Sequence, residues 1–384
     1  MKVIMLPSVS GGIGHISRTA TLARALKKLD AGIEIDYVLD SERLRPFNID
    51  ATMRLGYRPR LMPTRTPESR GPIVRACLGD ADVIVDDVQR YLLPLRHHVP
   101  SAAWISIAMH PINDELFMDW PMMAQMDAII WAYPPAVGLP AELEIVGDKV
   151  VQTGPFLDID DVPERNAARV RLGLDPLEPV VVYAPRGFPF GKDFGHRMVA
   201  AVYGAVERLR RDRYPDLKLI LIAVSDPAEL RDIDGVPQSL PPWVSVLGIQ
   251  TQSDALCYQR AADILVAEGT STIHEGAALG TSLIVVPGPI REILLLAEAM
   301  KRRDAAQVLK IKQVSAESMA DALSIALAKP ERRSAMSANA SAIVAGGGGV
   351  EAAARLVLEV NARRRAVGQP RTAPVHRVLP SPGR

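Results

Sequence analysis

The chain has 384 residues, 48% hydrophobic and 23% charged, with 45 Lys and Arg against 44 Asp and Glu. That length exceeds one ordinary α/β layer and suits two domains of roughly 150 to 200 residues, and the near-zero net charge removes nucleic acid as the default partner. No secretory leader and no apolar run of about 18 residues or more is legible, and Cys77 and Cys257 belong to no ligand-spaced set. The expectation is a cytoplasmic protein with neither a disulfide framework nor a bound metal.

The first apolar run, residues 3–6, reads as a buried strand and is followed by "SGGIGHISRT", residues 10–19. Ile16, Ala20, Ala23 and Leu26 then fall near helical spacing, which puts His15 at a helix start. Backbone amides there lack intrahelical acceptors and carry the positive end of the helix dipole. Gly12 and Gly14 let a ligand approach the backbone, and His15 can accept the proton of an attacking hydroxyl. A tight turn with a backbone-bonded histidine is an equal reading of this segment. The dinucleotide fingerprint is incomplete because Ser17 stands where a third glycine belongs, although Asp36 or Asp40 could serve as its ribose acid. The triphosphate loop fails for want of G-K-[ST].

Runs at 33–39, 83–85 and 102–107 continue a parallel-sheet pattern. Asp86 and Asp87 close the third run, where either could orient His15 or be a solvated carboxylate. His110 and Asn113 follow the fourth run. The Met-rich stretch 116–131 suits core packing, with an adaptable acceptor surface or membrane-touching patch as the alternative. Residues 150–166, rich in Pro, Gly and Asp, read as an interdomain connection, and the "DID" at 158–160 lies inside it.

The alternation restarts at 179–185 and continues at 217–224, 244–248, 263–268 and 282–287. Two doubly wound units result, and ligands in such sheets lie beyond the carboxyl ends of the strands. Arg186 and Lys192 flank a loop where either could neutralise a leaving diphosphate. Ile249 and Gln250 stand at a strand end, where backbone amides can recognise a uracil-type edge. In "AEGTSTIHEGAALGTSLIVVP", residues 267–287, Gly269, Thr270, Ser271 and Thr272 offer amide and hydroxyl donors to a diphosphate, and Glu275 can accept from ribose hydroxyls. The competing reading of Thr272 and Glu275 is a capping box, with His274 on the surface. Two helices broken at 346–349 end the second unit. The Pro-rich basic tail from 361 reads as disordered, with contact to an anionic membrane as its alternative.

The G-x-G-H loop, the "TGP" connection and the S-T-x-x-E-x-x-x-x-G run leading to a Pro-ended strand resemble GT-B glycosyltransferases. They are most similar to the branch of the lipid II N-acetylglucosaminyl transferase, glycosyltransferase family 28. The resemblance spans most of residues 1–360. It implies two Rossmann-like, doubly wound parallel-sheet domains facing across a cleft: an acceptor domain at 1–158, a linker at 159–168, a nucleotide-sugar domain with closing helices at 169–360, and the tail at 361–384. It further implies that Gly269, Thr270, Ser271 and Thr272 form the diphosphate loop, that Glu275 is the ribose acid, that Ile249 contacts the base, and that His15 borders the reaction centre. The reaction implied is inverting transfer of a sugar from a nucleotide diphosphate donor, UDP-linked by expectation, to a small-molecule or lipid-linked hydroxyl acceptor. No metal or other cofactor is required. The paired amides that read sugar hydroxyls in this branch are missing from "GPIREILLLAEA", where Arg291, Glu292 and Glu298 are the candidate substitutes. The rival readings are a non-hydrolysing UDP-N-acetylglucosamine 2-epimerase, an NAD-dependent oxidoreductase, and a catalytically silent nucleotide-sugar binder or partner subunit.

Overall fold

The computed structural model describes residues 1–9, 13–63, 71–87, 95–108, 120–184, 192–222, 230, 233–248, 250–288, 290–346 and 348–367. Among them are two wholly parallel sheets. The first has seven strands in the order β3-β2-β1-β4-β5-β6-β7, with β1 Lys2–Pro7, β2 Glu34–Asp40, β3 Arg60–Met62, β4 Val83–Asp87, β5 Ala103–Ala108, β6 Ala128–Trp131 and β7 Val150–Gln152. The second has six in the order β10-β9-β8-β11-β12-β13, with β8 Val180–Ala184, β9 Lys218–Leu221, β10 Val244–Val246, β11 Ile264–Ala267, β12 Ser282–Val285 and β13 Gln307–Val308. The central strands are continuous apolar runs because helices cover both faces of each sheet; Val3, Ile4, Met5 and Leu6 are fully buried, as are Val180, Val181, Val182 and Tyr183.

Both sheets share one winding, and strand order reverses between β1 and β4 in the first and between β8 and β11 in the second. Those two points are where a doubly wound sheet opens a crevice beyond its carboxyl ends. Pro7 of β1 pairs in register with Asp87 of β4, and the Ser8 amide donates to the Asp87 carbonyl at 2.9 Å. The chain therefore leaves β1 beside Asp87 and enters the helix Gly14–Leu29.

Several boundaries differ from expectation. Strand β7 lies inside the segment read as a connection: Val150, Val151 and Gln152 pair with Ile129, Ile130 and Trp131. An edge strand needs only one partner and shows no long apolar run, which hides it in a Pro- and Gly-rich context. Strands β3 and β13 are short edge strands of the same kind. Strand β6 ends the Met-rich stretch, whose Met123 and Met126 are core residues; residues 116–119 lie outside the described set. The helix Arg165–Arg171 starts within the expected linker and belongs to the second domain. Its Arg169, 2% exposed, donates to the Ala261 carbonyl and to Asp263.

The two closing helices are Pro330–Val344 and Gly349–Val367, separated near the expected glycines. The stretch Pro330–Ala366 contains an 18-residue window of mean hydropathy 1.3, apolar enough by length and composition alone to cross a membrane where no such run was expected, and 41% of that window is buried inside the protein. The two helices pack on different sheets. The first buries Ala340, Ile343 and Val344 with β12 residues Leu283 and Val285, whereas the second returns to the first domain and buries Ala353, Ala354 and Val357 against Val3, Met5, Leu22 and Leu26. This helix runs to Val367, beyond the expected tail boundary at 361. Arg364 donates to Asp127 and to the Pro100 carbonyl, and Arg365 donates to Asp82. Residues 368–384 lie outside the described set.

Candidate functional site

His15 is the second residue of the helix Gly14–Leu29, whose N-cap Ile13 provides no side-chain cap. Its Nδ1 lies 3.0 Å from Asp87 Oδ1 and 3.2 Å from Arg18 Nη2; a carboxylate only accepts, which assigns the Nδ1 proton to the bond with Asp87. Arg18, one turn further along the same helix face, donates through Nε to Asp87 Oδ2 at 2.9 Å and through Nη2 to Oδ1. The Asp87 carboxylate is fully buried. Burial alone would raise its pKa, but the adjacent Arg18 charge above all, with His15, holds it down at about 2. A permanently ionised acceptor fixes the His15 tautomer with the proton on Nδ1, so that Nε2 is the nitrogen able to accept, and it has no hydrogen-bond partner among the described residues. The His15 side chain retains 23% exposure.

Asp86 does not share this role. Successive residues of a strand point to opposite faces, and its buried carboxylate receives the Ser106 hydroxyl of β5.

Across the cleft, the helix Thr270–Ala278 follows β11, with Gly269 as N-cap in extended conformation and no side-chain cap. The expected capping box is absent because the helix begins two residues before Thr272, which places Thr272 and Glu275 inside it. Gly269 to Thr272 are thus an N-cap and first helical turn. The amides of Thr270, Ser271 and Thr272 have no acceptor among the described residues, the arrangement that binds anions at helix N-termini. The glycine that ends the S-T-x-x-E run, Gly280, has φ +69° just past the helix end, a left-handed position that favours glycine. A Cβ built on Gly14 would lie 3.6 Å from Ser271 Oγ. Two uncapped helix N-termini, one from each domain, therefore converge.

Glu275 accepts from Gln259 Nε2 at 2.8 Å. Burial pushes its pKa up to about 7, against the opposing effect of that bond. His274 is 5% exposed and not on the surface. It lies edge-on to the Tyr133 ring, centroids 6.1 Å apart. Burial, reinforced by the Arg18 charge, lowers its pKa to about 3, so it is neutral.

Of the candidates to replace the missing amides, Arg291 and Glu298 are exposed, while Glu292 is 4% exposed and occupied. It accepts Tyr133 Oη–H at 2.6 Å and Thr270 Oγ1–H at 3.2 Å. Neither oxygen is held ready for a sugar hydroxyl. Asp36 pairs with Lys2 and Arg60, and Asp40 accepts the Glu42 amide, so both have local roles. Asp158 of the "DID" run pairs with Arg24. Among the described residues no three His, Cys, Asp or Glu side chains gather as a metal-binding group. Gly12, Arg186, Ile249, His110 and Asn113 lie outside the described residues.

Sequence reasoning passed over Arg18, Tyr133 and the burial of His274. The three-residue spacing of His15 and Arg18, which places them on one helix face, was a usable signal for Arg18. Tyr133 carried no local signal.

No protein-family model and no curated protein matches the chain. Among solved structures, it is similar to CalG4, the calicheamicin glycosyltransferase, at 18% identity and TM-score 0.60, covering 94% of this chain and 98% of that one. It is similar to the MurG of Acinetobacter baumannii at 12% identity and TM-score 0.60, covering 93% and 99%. It is also similar to the UDP-GlcNAc 2-epimerase of Neisseria meningitidis, solved with UDP-GlcNAc, at 12% identity and TM-score 0.62, covering 94% and 100%. Two doubly wound parallel sheets, facing helix N-termini and a returning last helix accompany whole-length similarity to these structures: the chain has the GT-B fold.

Proposed function

We propose that this protein is a cytoplasmic glycosyltransferase that moves a sugar from a UDP-linked donor to a hydroxyl-bearing acceptor with inversion at the anomeric carbon. The observation that carries the reading is the Asp87-oriented His15 beside the uncapped N-terminus of Thr270–Ala278. His15 Nε2 takes the acceptor proton as the acceptor oxygen bonds to the anomeric carbon. The bond from that carbon to the diphosphate breaks, and its electron pair leaves with the diphosphate. Asp87 stabilises the imidazolium, and the Thr270, Ser271 and Thr272 amides stabilise the departing charge without a metal. In this reading Glu275 accepts from the ribose, and Arg186 and Ile249, which lie outside the described residues, are the residues assigned to the diphosphate and the base. The acceptor is a small molecule or a lipid-linked one that would bring the protein to a membrane surface.

The test is calorimetric titration with UDP, with TDP, GDP and NAD as comparisons, in the presence and absence of a chelator. Selective, chelator-independent binding of UDP is expected. With a donor and acceptor then found by screening, His15→Ala should keep UDP affinity within about twofold and lose transfer on the order of 100-fold. Unchanged transfer removes His15 as the base. Epimerised UDP-sugar as the product would assign the protein to the epimerase chemistry of its other structural neighbours, UDP binding without turnover would make it a silent binder, and binding of NAD alone would end the reading.

A further inference from the structure

A buried polar cluster between the two domains contains a bridge that the transfer chemistry above does not use. Tyr133 stands two residues past the end of β6 in the first domain, and Glu292 is the second residue of the helix Arg291–Arg302 in the second. Tyr133 is 1% exposed and Glu292 4% exposed. The Tyr133 ring packs on Trp131, centroids 4.5 Å apart, and against the edge of His274, so its hydroxyl has a fixed direction. Burial and the Glu292 charge raise the phenol pKa well above its ordinary value, so the hydroxyl remains a donor. The other Glu292 oxygen receives Thr270 Oγ1–H, from the first residue of the helix whose amides face the cleft.

We propose that Tyr133 and Glu292 are positioning residues: their bond closes the two domains on each other and sets the N-terminus of Thr270–Ala278 opposite His15. The catalytic consequence rests on the glycosyltransferase reading, whereas the closure itself does not. Two donors from different domains converge on one carboxylate, and bonds to a charged acceptor are stronger than neutral ones. Arg18 extends the arrangement to the base: it is bound to Asp87, and its own charge is favoured by Glu292. A carboxylate in this place is engaged by protein donors, which accounts for the absence of a free sugar-reading amide at Glu292. A second contact on the other flank, Arg24 to Gln252 at 2.8 Å, bounds the same closed arrangement without touching the Thr270 helix.

The experiment measures the interdomain distance by spin-label spectroscopy on the full chain. Labels are placed through Met53→Cys and Leu177→Cys, positions 57% and 92% exposed, with Cys77 and Cys257 replaced by alanine. The unmodified bridge should give one narrow distance distribution with and without UDP. Tyr133→Phe keeps the ring and removes only the bridging oxygen. It should raise the ratio of open to closed molecules about tenfold or more, as expected for a lost bond to a buried charge. Glu292→Gln keeps the volume and removes the charge, and should open the molecule less. The double variant should open no further than Tyr133→Phe alone, because both changes break one bridge.

An unchanged distribution in folded Tyr133→Phe, or additive effects in the double variant, overturns the proposal. If Tyr133→Phe fails to fold, Glu292→Gln gives the same reading, and a distribution identical to that of the parent overturns the proposal. Failure of the parent protein to bind UDP sinks the transferase reading while leaving the distance measurement valid.

Discussion

At the residue scale, two carboxylates in this cleft are driven in opposite directions. Asp87 is fully buried yet ionised because a guanidinium and an imidazole surround it, whereas at Glu275 the Gln259 amide alone among the described residues opposes burial. The folded-state pKa of Glu275 is raised from 4.5 to about 7, so its stability contribution is complete below about 4.5 and is lost as pH rises through 7. Ionised Glu275 is the form that accepts from ribose hydroxyls. UDP affinity should therefore gain more between pH 6 and pH 8 in the parent protein than in Glu275→Gln, and parent stability relative to that variant should decline over the same interval. Calorimetry and denaturant titration at the two pH values check both signs. Parallel pH profiles would remove Glu275 from the nucleotide site. The residues themselves were legible in unequal degree. His15 and Glu275 stood in quotable motifs, but only the register of β1 against β4 distinguishes Asp87 from Asp86 as the partner of His15.

At the scale of elements, the helix Thr270–Ala278 shows why local pattern is ambiguous. T-x-x-E is a sound helix-start signal, yet the helix starts at Thr270, with Gly269 as its cap and the amides of its first turn left without side-chain acceptors. Natural helix ends are usually capped, and leaving this one open suits a ligand at that end. Ser271, exposed in the first turn, tests the idea by opposing effects. Ser271→Asp should leave stability unchanged or raise it by about 0.5 kcal/mol, since a carboxylate complements the dipole, while lowering UDP affinity at least tenfold through repulsion of the diphosphate. Thermal melts and calorimetry read the two effects separately. Equal UDP affinity would place the diphosphate elsewhere. The helix also sits tightly on its sheet: a Cβ on Gly276 would lie 2.5 Å from Leu265 Cδ2. That contact limits how far the first turn can shift.

At the scale of the molecule, the chain passes between its domains more than once. It crosses from the first to the second near residues 153–164 and returns with Gly349–Val367, whose apolar face completes the first domain's core. The end of that helix is held by Arg364 on Asp127 and on the Pro100 carbonyl, at 2.8 and 2.7 Å. A chain ending at Val360 loses these bonds and the Arg365 pair, whereas one ending at Val367 retains them. The shorter chain should be less stable by about 1–2 kcal/mol, nearly all of it from Arg364, because the Arg365 pair is largely exposed. Differential scanning calorimetry of the two truncations checks this, and equal midpoints would show that the last turn only decorates the domain.

Local chemistry in the chain determined a good deal. Apolar runs of strand length, interrupted by helical spacing, specified two parallel α/β units, because a strand buried on both faces admits few polar residues. Glycine, histidine and the S-T-x-x-E run marked both loops that border the cleft. Tertiary structure decided the rest: which aspartate meets His15, that Glu292 binds Tyr133 159 positions away, that His274 is buried, and that the last helix completes the first domain. Each depends on contacts between segments remote in sequence, where side-chain direction and register are set by the packing of whole sheets and helices. A short edge strand such as β7 belongs with them, since a single neighbouring strand defines it and its own residues carry little signal.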